Sequence, residues 1–515
     1  MTTTTAAAPT DPATRKSLEP FFKDSVEFYR YQAEGVRWLM RRQGALLADD
    51  MGLGKTIQIL ATFCVHVKAG RATTMIVVCP NPLKKNWSNE IRKFTRLQHV
   101  VIPGTGASAV KRQLLFTEFK EMVGPKILII NYEQVKNFLD QINDEYFDVA
   151  VWDEAHMLKD PTSQRAGWNR QIYSRYSFML TGSPMPNNVG ELWTMLDRIN
   201  PGEWGSYLQF VNMYAVKKKK DIIGTKNKTR LRKRLAAVML RRRKENVLDL
   251  PDVHYIPRVV GLTPKQFKLY DRALNDLMIE MENAPDQEIA NDAVKFARLL
   301  QICGTTFCVD PDTDSSEKLD LAVADAAELV AEGHHIVVFT RWRPVQEAFV
   351  NRLRAVLKPK VNAFGETVPA APIRVINGDV DSDDRVDRHG TVTALGRESI
   401  KTEWEQDIPG VLCCTYQAAG VGLNMTKARH GLMLDKLYTP GLNKQAVDRM
   451  HRIGADRSQP VQILEYYVAD TVEHRVHTIL EIKKKTTEDV VEMSVAERAM
   501  FLAVMSAEMN GEAYS

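Results

Sequence analysis

At 515 residues the chain exceeds one ordinary domain, and 44% hydrophobic with 26% charged residues is a globular composition, so two lobes and a smaller accessory part are expected. Its longest apolar runs, such as Met75 to Cys79 and Ile127 to Ile130, are strand-sized, so a membrane-spanning helix is excluded by pattern and no membrane partner is expected. The six cysteines form no C-x-x-C pair and His474 and His477 lack a partner pair, which argues for reduced core thiols and against zinc.

In chain order, residues 1–20 are Thr/Ala/Pro-rich, with neither a basic start nor an apolar core of signal-peptide type, and read as a disordered tail. Phe28-Tyr29-Arg30-Tyr31-Gln32 then leads into the helical pattern Val36, Leu39, Met40. The Gln32 amide, donor and acceptor at once, suits an adenine edge. Ala45 to Ala48 reads as a short buried strand, and Thr56 onward as a helix with Leu60, Phe63, Cys64 and Val67 on one face.

The loop between them, Asp49-Asp50-Met51-Gly52-Leu53-Gly54-Lys55, is a phosphate cradle by its chemistry. Gly52 and Gly54 let the backbone approach phosphates, helix-start N–H groups meet their charge, Lys55 reaches the terminal phosphates, and the Thr56 hydroxyl suits Mg²⁺. A strict G-x-x-x-x-G-K-[ST] loop has glycine where this chain has Asp49.

Short apolar runs then alternate with helical stretches: Met75 to Cys79, Ile127 to Ile130, Val149 to Trp152 and Phe178 to Leu180. That alternation predicts a parallel, helix-covered α/β sheet with ligands at the carboxyl ends of its strands. Polar residues stand at those ends: Pro80, Asn131-Tyr132, Asp153-Glu154-Ala155-His156 and Thr181-Gly182-Ser183-Pro184. Asp153 can hold Mg²⁺ through its water shell, and Glu154 can orient or deprotonate an attacking water.

The stretch from Lys217 to Lys244 holds 14 Lys/Arg against the single acid Asp221. It is a local +13 within a net +5, and it favours a polyanion partner, with a solvated loop or an import signal as the alternative for Lys217 to Lys220. Residues 246–317 read as a helical linker, with helices over Gln266 to Glu282 and Ile289 to Ile302 before the turn-rich Asp310 to Asp314. A second alternating set follows: Ile336 to Phe339, Ile373 to Ile376, Val411 to Cys414, Leu432 to Leu434 and Gln462 to Val468. Lacking a phosphate loop of its own, it reads as a partner lobe that contributes arginine.

On these residues the chain resembles the Swi/Snf-like branch of the superfamily two helicases, ATP-driven DNA translocases, over roughly Tyr31 to Arg475. Asp50-Met51-Gly52-Leu53-Gly54-Lys55-Thr56 is similar to that family's phosphate loop, which also lacks the first glycine. Asn86-Trp87 and Glu90, the DEAH-box tetrad from Asp153 to His156, and Leu180 to Pro184 with Glu191-Leu192-Trp193 follow in the family's order. So do Asn377-Gly378, Gly420 to Asn424, Asp435, Gln445-Ala446 and Arg449 to Gly454, though Ala455 stands where the family usually carries glutamine.

The resemblance implies two RecA-like lobes in tandem, residues 21–245 and 318–480, with the ATP site in the cleft between them and a helical tail over 481–515. It implies Lys55, Asp153, Glu154, Arg449 and Arg452 as catalytic residues, the two arginines meeting the γ-phosphate. Gln32, Asp50, Gly52, Gly54, Lys55, Thr56 and Gly422 would bind ATP, and Thr56 and Asp153 Mg²⁺. Asn86, Trp87, Asn131, Lys217, Lys218, Asn377, Gly378 and Asn424 are the expected nucleic-acid contacts. A spacing of three would place Arg449 and Arg452 on one helix face.

The expected activity is ATP-dependent, sequence-independent translocation on double-stranded DNA by a monomer, cytoplasmic in a bacterial or viral setting and nuclear in a eukaryote. The alternatives are a strand-separating DNA or RNA helicase and an inactive ATP-sensing DNA clamp. Intact Lys55, Glu154, Arg449 and Arg452 argue against the clamp.

Overall fold

In the computed structural model the described residues are 18–486, apart from 19–20, 25, 105–106, 183, 186–187, 219–220, 249, 284–288, 362–366, 369, 382–383, 387–391, 407, 420–422, 438–439 and 453–458. They form two units, one up to residue 250 and one from residue 251 onward. The tails expected over 1–20 and 481–515 lie largely outside the described residues.

The first unit holds β1 (Gly44–Leu47), β2 (Thr74–Cys79), β3 (Gln98–Val101), β4 (Lys126–Asn131), β5 (Phe147–Asp153), β6 (Ser174–Leu180), the antiparallel pair β7 (Ala215–Lys218) and β8 (Asp221–Thr225), and β9 (Met239–Leu240). Seven of these make one sheet, in the order β3-β4-β2-β5-β6-β1-β9, with every pairing parallel. Such a sheet is covered on both faces, which is why its strands are continuous apolar runs rather than alternating ones. Along one face Leu46, Ile76, Leu128, Ala150 and Met179 join a core with Phe116, Phe138 and Leu192. The register residues on the other face, Leu47, Val77, Ile129, Val151 and Phe178, are equally buried.

The second unit contains β10 (Val253–Val260), β11 (Ile336–Thr340), β12 (Lys360–Val361), β13 (Thr367–Val368), β14 (Ile373–Ile376), β15 (Arg385–Val386), β16 (Val392–Ala394), β17 (Val411–Thr415), β18 (His430–Met433) and β19 (Val461–Val468). Its main sheet, in the order β10-β19-β18-β11-β17-β14, is again all parallel, while β12-β13 and β15-β16 are small antiparallel pairs. Ile336 and Val338 pack into one core and Val337 and Phe339 into another, so this sheet too is buried on both faces. Both sheets agree with the expected α/β class.

Three strands of the two main sheets escape sequence patterning. β3 is a half-exposed edge, β9 is two residues long, and β10 lies inside the stretch read as a helical linker. β10 carries Pro257, which a sheet tolerates at an edge because no ladder donor is then missing, and β10 is an edge strand. The helices Pro264–Asn283 and Ile289–Gly304 do occupy that stretch, within the second unit.

Candidate active site in the first unit

The loop after β1 is built on two left-handed residues, Gly52 at φ 83° and Gly54 at φ 72°. The left-handed backbone favours glycine at Gly54, and a Cβ there would also sit 2.5 Å from Gln32 Nε2 and displace that amide. The helix Lys55–Lys68 starts directly behind Gly54, aiming its first N–H groups and the positive end of its dipole at the loop. Lys55 Nζ lies back on the loop, donating to the carbonyls of Asp49 at 2.8 Å and Asp50 at 3.5 Å. An incoming phosphate would replace those carbonyls as the lysine's partner.

The ends of β5 and β6 come to this loop. A Cβ on Gly182 would lie 2.9 Å from Met51 Cγ and 3.9 Å from Lys55 Nζ, placing the end of β6 against the phosphate loop. Thr181 Oγ1 is 3.3 Å from His156 Nδ1, and the same nitrogen is 3.2 Å from Glu154 Oε2. A chain of polar contacts thus runs from the β6 end to the acidic pair after β5. Glu154 itself has φ 51°, a left-handed conformation rare for a residue with a side chain, and it bends the chain into the short 3₁₀ turn Ala155–Leu158.

Asp153 is held from three sides. Trp87 Nε1 donates to its Oδ2 at 2.8 Å, the Glu154 N–H donates to Oδ1 at 3.0 Å, and the Tyr132 hydroxyl donates to its carbonyl at 2.8 Å. Burial and then the Glu154 charge push its carboxyl up to about 6, against the pull of Trp87 and Lys55. A half-buried carboxylate beside a second one is the donor set a divalent cation would relieve, so Asp153 fits the Mg²⁺ role expected of it, with the half-buried Thr56 at the helix start as the second candidate.

Several expected residues are placed otherwise. Trp87 is completely buried with its indole on Asp153, and a direct nucleic-acid contact is thereby corrected to support of the acidic pair. Asn131 is buried too, its amide donating to Glu133 at 2.8 Å and accepting from Lys84 at 3.2 Å, so it is likewise not a surface contact. The Gln32 amide is engaged within the protein: its oxygen accepts the Tyr29 N–H at 3.0 Å and its nitrogen donates to the Leu53 carbonyl at 3.3 Å. It braces the phosphate loop rather than standing open to an adenine. Asp50 turns its carboxylate to the Lys244 N–H at 3.4 Å.

In the second unit, described by itself, Arg449 is buried in the helix Pro440–Met450. Arg452 lies beyond the helix's last residue, so the shared helix face expected from their spacing is corrected: the helix ends between them. Asn377 donates to Gln346 at 3.2 Å and accepts the Asp379 N–H at 3.0 Å, Gly378 is exposed, and Asn424 is half-buried. Lys217 is exposed on β7 and donates to Asn212 at 3.4 Å. Gly422 and the side chain of Lys218 lie outside the described residues.

Sequence reasoning assigned no role to two residues that hold the site together: Tyr132, which it placed only at a strand end, and Arg242. Arg242 stands between Arg241 and Arg243 in the basic block, with no local signal separating it from them. Its side chain is nevertheless tied to the buried Asp49, Nε donating to Oδ1 at 3.0 Å.

With this geometry in view, residues 31–306 match the family model described as the SNF2-related domain. The chain is 26% identical over 491 residues to YwqA of Bacillus subtilis, a protein whose name reads ATP-dependent helicase/translocase, covering 92% of this chain and 50% of that one. It is 26% identical over 489 residues to the ATP-dependent DNA helicase DDM1 of Arabidopsis thaliana, covering 87% and 59%. A Sulfolobus solfataricus SWI2/SNF2 ATPase core solved with double-stranded DNA is 24% identical, with 89% of this chain and 91% of that one covered, at a TM-score of 0.40. The chain spans about half the length of the curated relatives it matches.

Proposed function

The chain belongs to the SNF2-related family, and from that premise we propose that it is a nucleic-acid-dependent ATPase that moves along double-stranded DNA. The observation that carries the proposal is the meeting, within one unit, of the Lys55 loop, the Asp153-Glu154 pair and the Thr181 strand end. These are the parts that phosphoryl transfer needs: a cradle and cation for the terminal phosphates, a metal-facing carboxylate, and a base or water-orienting group.

In this reading the loop N–H groups and Lys55 take the phosphates, Lys55 leaving the Asp49 carbonyl to do so. Glu154, held toward His156, orients the attacking water and takes its proton. Mg²⁺, when bound, neutralises charge on the phosphate oxygens. Thr181, bonded to His156, makes the β6 end sensitive to what happens at the acidic pair. Arg449 and Arg452 keep the role that the family resemblance implies, stabilising charge on the transferring phosphate.

Two observations support a duplex track that is not opened. The exposed Lys217, Lys226, Lys228, Arg230, Arg232 and Lys233 of the basic block suit backbone phosphates, which carry no sequence. Strand separation needs a wedge that unstacks base pairs, usually an aromatic hairpin or an added domain, and Trp404, fully buried with its indole donating to the Gly410 carbonyl, is not such a wedge. The test is the ATPase rate with no nucleic acid, single-stranded DNA, duplex DNA and RNA side by side. Stimulation by duplex, with displacement of a third strand from a triplex and no unwinding of a fork, is the expected result. Stimulation by single strands alone would replace this reading with a helicase one.

A further inference from the structure

We propose that Arg242 is a positioning residue for nucleotide binding, a clamp that holds the phosphate loop in its phosphate-ready turn through the buried carboxylate of Asp49. The proposal rests on the phosphate-loop reading above and adds a residue that no motif assigns.

Asp49 stands where a strict loop has glycine, and it is completely buried. A carboxylate taken out of water is costly, by several kcal/mol for the ion alone, unless its oxygens are matched by donors. They are matched almost entirely by one residue. The Arg242 N–H and Nε each donate to Oδ1 at 3.0 Å, and Nη2 donates to Oδ2 at 2.5 Å, with Gln58 Nε2 on the same oxygen at 3.3 Å. The rest of the guanidinium fork reaches the Gln58 side-chain oxygen at 2.7 Å and the Tyr31 carbonyl. One planar cation therefore ties together the helix Arg30–Leu39, the loop and the helix Lys55–Lys68. Lysine, a point charge without the fork, cannot make those contacts at once.

The backbone continues the clamp. Ala48 N–H donates to the Leu240 carbonyl at 2.7 Å, Asp50 N–H to the Arg242 carbonyl at 3.0 Å, and Lys244 N–H to the Asp50 carboxylate. The β1-β9 ladder thus runs on past the strands and along the loop. Asp49 is fixed by its side chain while its carbonyl faces Lys55 Nζ, so releasing the carboxylate would shift the atom against which the phosphate-binding lysine is set. Gly35 completes the arrangement: a Cβ there would fall 1.9 Å from Gln58 Oε1 and 2.7 Å from Arg242 Nη2, so the network occupies the space a side chain would need.

The experiment measures the Kd of a fluorescent ATP analogue with Mg²⁺ on the full chain without nucleic acid, together with Tm and the KM and kcat of ATP hydrolysis. Arg242→Gln is expected to weaken nucleotide binding by about tenfold or more, a loss of about 1.4 kcal/mol. KM should rise in step while kcat at saturating ATP stays within about twofold, because Lys55 and Glu154 are intact. Asp49→Asn should act in the same direction, and the double variant should lose less than the two singles added, since they share one contact. Arg352→Gln, which removes another aspartate-paired arginine, to Asp314 and Asp320, should lower Tm and leave the Kd alone.

A wild-type Kd in Arg242→Gln, or additive losses in the cycle, would overturn the proposal. Should Arg242→Gln fail to fold, Arg242→Lys is measured in its place, and a wild-type Kd there overturns it equally. A wild-type protein that binds no nucleotide would overturn the phosphate-loop reading itself, an outcome separate from any effect of Arg242.

Discussion

Each unit carries an aspartate at a strand end of its parallel sheet, the half-buried Asp153 closing β5 and the buried Asp435 just past β18, and desolvation raises the carboxyl of both. Their next-largest influences are opposite. Asp153 sits beside Glu154, whose like charge raises it further, whereas Asp435 is offset by the buried Lys318 and by donors on its own sheet: Thr340 Oγ1 at 2.5 Å and the Arg341 N–H at 2.7 Å. The neighbouring loops differ accordingly. After β1 the chain turns through Gly52 and Gly54, while after β11 it runs through Arg341 and Trp342 directly into the helix Arg343–Val356, with no glycine. One architecture thus yields an undercompensated carboxylate beside a phosphate cradle in the first unit and a neutralised structural anchor in the second.

The largest effects should come from removing chemistry while keeping the folds. Glu154→Gln is expected to bind nucleotide and lose hydrolysis, and Arg452→Ala to lose about 10³ to 10⁵ in turnover, the range for a charge-stabilising arginine. Single-turnover ATP hydrolysis measures both. Near-normal rates in either would remove that residue from the mechanism and narrow the contrast between the units.

Next in size is a break confined to the second unit. Lys318 Nζ lies 2.6 Å from Glu473 Oε1 with both side chains buried, and Glu473 also accepts the Val468 N–H at 3.0 Å. Lys318→Ala would strand the Glu473 charge and should cost about 3 to 5 kcal/mol in urea unfolding. Nucleotide affinity of the folded protein should be unaffected. Loss of affinity at matched folded fraction would mean that the anchor also serves the chemistry.

The pH dependence should separate the aspartates more finely. Because Asp153 is raised from an ordinary 3.8 to about 6, the folded state holds a proton that the unfolded chain has released. Its contribution to stability is therefore present below the unfolded value and lost as pH rises through about 6. Metal binding needs the ionised form and runs the other way. Mn²⁺ affinity, followed by electron paramagnetic resonance, should fall about tenfold per unit as pH drops below 6, and Asp153→Asn should abolish that dependence. A flat profile in the wild type would take the metal away from Asp153.

The smallest effect concerns the track. Each phosphate contact contributes a salt slope of about −0.9 on duplex DNA, so Lys217→Ala should flatten the dependence of log affinity on log salt by roughly one contact. An unchanged slope would leave Lys217 as a solvated residue.

Much of this was legible in the amino-acid order because it is local. Short apolar runs such as Met75 to Cys79 and Val149 to Trp152 mark strands buried on both faces, and the Gly52-Leu53-Gly54-Lys55-Thr56 turn carries its left-handed glycines, its cation and its helix start within five consecutive residues. What only the tertiary structure decided is which of several chemically similar residues is drawn inward. Arg242 differs from Arg241 and Arg243 only because the two-residue strand β9, too short to show any period, pairs with β1 and delivers it to Asp49. Trp87 turns its indole inward to Asp153 rather than out to a ligand, and the helix that was to carry both Arg449 and Arg452 stops at Met450. Sequence periodicity records a residue's environment along its own element, whereas buried ion pairs and supporting hydrogen bonds join residues as far apart as 49 and 242, and only packing brings those together.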